Sequence, residues 1–178
     1  MIHRTFFVVA LLLSGTPWLG AEDSDSPQSK PAETAASTLA EARTRAKMLH
    51  EMVRGTLQIM HRDFFDEDDA HAIPSASLED VFHEMSETHD VTMKWLIVNT
   101  DIVNADHEAE TPFEKAAVKT LAAGEPFAEH RTATRYQFAG PIRLGSQCLK
   151  CHVKRRIRNE ARTAGLVISM PLVESDVR

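Results

Sequence analysis

Between Ser37 and His61 the apolar positions fall at Leu39, Ala42, Ala46, Leu49, Val53, Leu57 and Met60. These steps of three and four predict one long amphipathic helix, with Ser37 as N-cap beside Thr38. Ser77-Leu78-Glu79-Asp80 carries a capping-box pattern and predicts a second helix to about Thr88, burying Val81, Phe82 and Met85. Val91 to Val98 is β-branched and partly alternating, so it predicts a strand. Thr111-Pro112-Phe113-Glu114 combines an N-cap, a first-turn proline and an acidic third position, which predicts a helix that stops at Gly124. Phe127 to Thr132 and Thr134 to Phe138 predict a short hairpin, and Gly165 to Val173 a final strand. The order of helix, helix, strand, helix and several strands predicts an α+β fold, an antiparallel sheet with helices on one face.

Two regions depart from this patterning. Met1 to Arg4 is short and basic, Thr5 to Leu13 is apolar, and Ser14 to Ala21 is rich in small residues. That sequence of regions predicts an export signal over residues 1–21, too short for a comfortable membrane span. Residues 22–36 are rich in Ser, Pro, Asp, Glu and Ala and read as a flexible tether. Residues 37–178 then form one domain, large enough for a core of its own. The reading places the protein in the periplasm or secreted, with no membrane span once the signal is cleaved. A net charge of −6 and a pI near 5.8 argue against nucleic acid as a partner.

The only two cysteines lie in Cys148-Leu149-Lys150-Cys151-His152. C-x-x-C-H is the attachment pattern of haem c. Two thiols about one turn apart can add to the two vinyl groups of a porphyrin, and the following imidazole can ligate the iron from below. Three other readings compete. A thioredoxin-like pair needs C-x-x-C opening a helix after a βαβ strand, whereas here Gly-Pro and Gly-Ser precede the motif. A zinc site needs two further ligands. A disulfide would close a tight loop of little entropic benefit. The export signal favours haem, because attachment of haem c follows export. One motif predicts one covalent haem, with Cys148 and Cys151 as thioether links and His152 as proximal ligand.

The sixth ligand is sought among the other histidines and methionines. His61 is the first candidate, ending the long helix beside Met60 and the aromatic pair Phe64-Phe65; His50 is the second. At about 100° and 1.5 Å per residue the two share a face to within roughly 20° but stand about 16 Å apart, so one iron cannot take both. His83, His89, His107 and His130 read as exposed or hydrogen-bonded. Met170 reads as core. Trp95, Phe127, Tyr136 and Phe138 could line a haem pocket, and Lys150, Lys154, Arg155, Arg156, Arg158 and Arg162 could neutralise propionates or dock an acidic partner. Asp66-Glu67-Asp68-Asp69 lacks the spacing and glycine of a calcium loop and reads as a solvated turn.

The chain resembles the PAS-like c-type haem domains that occur as free periplasmic proteins and as sensor modules of signalling proteins. The resemblance runs from about Leu39 to Val173. It rests on the long first helix, Phe113 to Ala117, Leu121 to Gly124, Tyr136 with Phe138 to Ile142, Cys148 to His152, and Gly165 to Ile168. It implies a PAS-like antiparallel sheet flanked by helices, and electron transfer, redox sensing or small-ligand sensing. Some members use a distal cysteine, and this chain has no third cysteine to offer. The leading expectation is one-electron transfer or redox sensing with an unidentified redox partner protein. A diatomic-gas sensor is the alternative, and an enzyme such as a peroxidase the third reading, because no distal acid–base pair is readable.

Overall fold

The structure, a computed structural model, describes residues 34–66, 72–153 and 161–173. The signal region, most of the tether, the acidic segment after Asp66 and the basic segment 154–160 lie outside the described residues. Helix α1 spans Leu39–Asp63, helix α2 Pro74–His89 and strand β1 Thr92–Ile97. A 3-10 turn at Ala105–His107 precedes helix α3, Pro112–Ala122. Strands β2, Ala128–Arg131, and β3, Arg135–Arg143, form the hairpin; helix α4, Ser146–His152, and strand β4, Thr163–Pro171, close the domain.

The four strands form one antiparallel sheet in the order β1-β4-β3-β2. Strand β4 takes a central place because Thr163 to Pro171 carries no charge and can be buried on both faces. Its side chains alternate. Leu166, Ile168 and Met170 meet Tyr136, Phe138 and Ile142 under α1 and α2, and Val167 meets Leu96, Ala139, Ala117 and Leu121 under α3. Helices therefore cover both faces of the sheet, where the sequence order had suggested one. The apolar α3 stripe, Ala117 and Leu121, needed a partner, and the second face of β4 supplies it.

Local chemistry moves several boundaries. Thr38, not Ser37, caps α1 by accepting from the Glu41 amide at 3.1 Å, while Ser37 donates to the Glu41 carboxylate. Helix α2 begins at Pro74, earlier than the Ser77 pattern implied, because a first-turn proline loses no hydrogen bond there. Its buried face is then Leu78 and Phe82 with Met85 at the margin, and Val81 is 48% exposed. The Thr111–Glu114 capping box forms as expected, and Gly124 ends that region at φ +88°. Ala36, at the end of the tether, is fully buried and bridges Leu172. Among the described residues no helix is long and apolar enough to cross a membrane.

Candidate functional site

Strands β3 and β4 are adjacent and antiparallel, yet the connection between them is long and carries α4. Its ends are tied where the Leu144 amide donates to the Arg162 carbonyl at 3.0 Å. Cys148, Cys151 and His152 thus sit on a short helix displayed from the rigid end of the sheet. Cys148 and His152, four residues apart, share one face of it. Asn99 locks this connection to the loop after β1. Its side-chain oxygen accepts from the Thr163 amide at 2.6 Å and its carbonyl accepts from Arg162 at 3.0 Å. The Asp101 amide donates to the His152 carbonyl at 2.9 Å, which fixes the end of α4.

A cleft opens where these elements meet. Leu57 and His61 come from the end of α1, Trp95 and Leu96 from β1, Asn104 and His107 from the following loop, Ile142 and Leu144 from β3, and Cys148 and His152 from α4. The cleft joins an apolar lining to three imidazoles and a thiol. Burial pushes the His152 pKa down, and the charges of His61 and His107 push the same way. A neutral imidazole is the form that binds a metal. Burial also raises the Cys148 thiol. Cys148 and Cys151 are free cysteines, the first half-buried and the second exposed.

His61 and His107 are held differently. His61 Nδ1 lies 3.0 Å from the Leu57 carbonyl of its own helix. A proton on Nδ1 satisfies that contact, so the neutral ring keeps its lone pair on Nε2. Phe65 packs on the ring at 5.3 Å, whereas Phe64 is 80% exposed and walls nothing. His107 Nε2 lies 2.8 Å from Glu79 Oε1 and 3.3 Å from Asn104 Nδ2, which leaves Nδ1 as its open position. From sequence His107 reads as exposed or hydrogen-bonded. It is hydrogen-bonded, and it also lines the cleft. Strand order hid this, because β1 ends at the same edge as the β3–β4 connection only once β4 has inserted between β1 and β3.

His50 lies elsewhere. It shares the α1 stripe with His61 but does not reach the cleft. Its ring is 6% exposed, packs edge-on to Phe138 at 5.8 Å, and lies against Gly140, where an added Cβ would come within 2.5 Å of the imidazole. It borders a separate groove with Lys47, Arg54, Phe127 and Phe138. Of the aromatics, Trp95 lines the cleft and donates Nε1–H to the Ser75 carbonyl at 3.0 Å. Phe127 and Phe138 stack beside His50 at 5.7 Å. Tyr136 is core, its hydroxyl donating to Glu129 at 2.6 Å, which Arg43 holds with two hydrogen bonds.

The family model described as Tll0287-like, Tll0287, matches residues 33–165, well over half of the chain. The chain belongs to the Tll0287-like family. The match takes in the whole lining of the cleft, from α1 through α4 to the start of β4. Among solved structures, the chain is similar to the crystal structure of the cyanobacterial heme-protein Tll0287 at 14% identity, with a TM-score of 0.52 over 76% of this chain and 96% of that one. At that identity the likeness bears on the fold alone. No curated protein matches.

Proposed function

We propose that this protein is a monohaem c-type cytochrome of the periplasm, working in one-electron transfer or redox sensing. The observation that carries the reading is the convergence of Cys148, His152 and His61 on one apolar cleft. C-x-x-C-H supplies the covalent chemistry, and the relationship to a family whose namesake is a heme-protein supports the cofactor. The chemistry of the donor set, a thiol and two imidazoles against an apolar lining with Cys151 one turn of helix away, suits a porphyrin. Cys148 and Cys151 would hold it, His152 would take the proximal position, and Leu57, Trp95, Leu96, Ile142 and Leu144 would meet its faces. Bound there, haem would supply a one-electron iron couple whose potential is set by its axial ligands and by its burial.

His61 is the sixth ligand in this reading. Its carbonyl-pinned Nδ1 leaves Nε2 to coordinate, and His61 with His152 would hold the iron through two imidazoles, a donor set suited to electron transfer. Gas sensing is the second reading, favoured by one observation. His107, held from outside the cleft by Glu79, places a polar side chain in the lining that could hydrogen-bond a ligand bound to iron. Absorption spectra of the exported protein, oxidised and reduced, with and without carbon monoxide, separate the two. Sharp reduced bands unmoved by carbon monoxide are expected. A carbon monoxide shift would favour gas sensing, and the absence of haem from protein made in a host that attaches haem c would overturn both.

A further inference from the structure

A second groove, remote from the cleft, lies between α1 and α2. Met48 and Met52 are one turn apart on α1, and Met85 and His89 one turn apart on α2. All four line this groove, with Met170 of β4 as floor. Four of the chain's seven methionines therefore gather at one place. Core packing accounts for Met170 and for part of Met85, but not for Met48 and Met52. Met48 is 69% and Met52 60% exposed, and His89 is exposed with no side-chain hydrogen bond or ion pair among the described residues. Residues four apart on a helix have Cβ atoms about 5–6 Å apart, within reach of one ion for flexible thioether arms.

We propose that this groove binds a soft monovalent metal ion, Cu(I) or Ag(I), through the thioethers of Met48, Met52 and Met85 and the imidazole of His89. Thioethers select soft ions, and among the described residues the lining holds no carboxylate that would suit calcium, magnesium or zinc. Among the described residues Arg45 is the one cation in the lining, and it is paired with Glu41 and the Thr34 carbonyl, so it does not oppose a single positive charge as a free guanidinium would.

The test is a titration of the full-length protein carrying 13C-methyl methionine, with Ag(I) and, without oxygen, with Cu(I), after Cys148 and Cys151 have been capped by attached haem or by alkylation so that no thiol competes for a soft ion. The methyl signals of Met48, Met52 and Met85 should shift together and saturate at one equivalent, while Met60 and Met93 stay in place. Zn(II) should move none of them. Met52→Leu and His89→Ala, both at exposed positions, should each weaken binding at least about tenfold, since even outer-shell partners of a metal are worth that much. Unmoved signals would overturn the site. So would a shift at one exposed methionine without saturation, or full affinity in the combined Met52→Leu, His89→Ala variant, which would put the ion elsewhere.

Discussion

His50 and His61 lie on the same stripe of the same helix, and the fold uses them in opposite ways. His50 sits above the middle of the sheet, where the chain has given up a side chain at Gly140 to admit the ring. His61 sits beyond the sheet's edge, where the loops from β1 and β3 meet. Burial is severe at the first site and partial at the second. Among the described residues, buried His50 Nε2 has no hydrogen-bond partner, while His61 has one nitrogen satisfied and the other open. The periodic pattern fixes which face a residue occupies. Its position along the helix axis, measured against the sheet, decides whether that face is core or site.

The widest separation between the two regions should appear on removing the attachment residues. Cys148→Ser with Cys151→Ser should abolish the haem adduct in denaturing mass spectrometry while the sheet still folds; an adduct that survives would show that the cofactor is held elsewhere. Next comes a reciprocal pair. His61→Ala should convert the spectrum from low-spin to high-spin and cost little stability, because the ring is half-buried. His50→Ala should leave the spectrum low-spin and cost about 1–3 kcal/mol, the loss of packing being partly offset by removal of an unpaired buried nitrogen. A low-spin spectrum in His61→Ala, or a high-spin one in His50→Ala, would break the contrast.

Gly140→Ala probes the His50 side alone. The new Cβ would meet the imidazole at 2.5 Å and the Phe138 ring at 2.9 Å. Overpacking of that kind costs about 1–3 kcal/mol, lowering Tm by several degrees at this chain length. The double variant His50→Ala, Gly140→Ala should lose less than the sum of the single losses, because the deleted ring is what the methyl strikes. Additive losses would mean that the backbone around Gly140, rather than the ring, is the constraint.

The elements were readable because each is locally consistent: the 3-4 stripe of α1, the capping box of α3, the uncharged run of β4. The cleft was readable only in part. Cys148, Cys151 and His152 announce themselves by spacing, and His61 by its place at a helix end. His107 and Trp95 join them through strand order, a long-range property that no window of sequence contains. Gly140 could be seen as a glycine but not as the cradle of His50, since that needs the height of α1 over β3. The capping signal at Ser77 misled because Pro74 offers an earlier start at no cost in hydrogen bonds.

A smaller effect follows from pH. Burial lowers the His50 pKa, only partly countered by Glu51. As pH falls below 6.5 the unfolded chain takes up a proton that folded His50 refuses, so stability falls with acid by at most about 1.4 kcal/mol per unit from this group. Glu129 is held below the ordinary carboxylate value by Arg43. Glu114 is also low, because backbone amides and Lys94 outweigh its burial. Their stabilisation is complete above pH 4.5 and lost as pH falls through the lower folded-state values. Denaturation midpoints at pH 7.5, 5.5 and 3.5 should therefore fall in two stages, and His50→Ala should flatten the first. An unflattened first stage would assign that loss to another group, with His152, also lowered by burial, the first to test.

The smallest effect separates the two imidazoles within the cleft. His107 gives one nitrogen to Glu79 and sits on a loop, while His61 is fixed to a helix carbonyl. Rigid placement favours His61 as ligand, because an ordered imidazole loses less freedom on coordination. His107→Ala should then keep the low-spin spectrum and shift only the reduction potential, since it removes a polar group near the iron without removing a bond to it. Glu79→Gln should produce part of the same shift by weakening the hold on His107. If His107→Ala instead gives the high-spin spectrum and His61→Ala does not, the roles reverse: the loop supplies the ligand, and α1 supplies only the wall of the cleft.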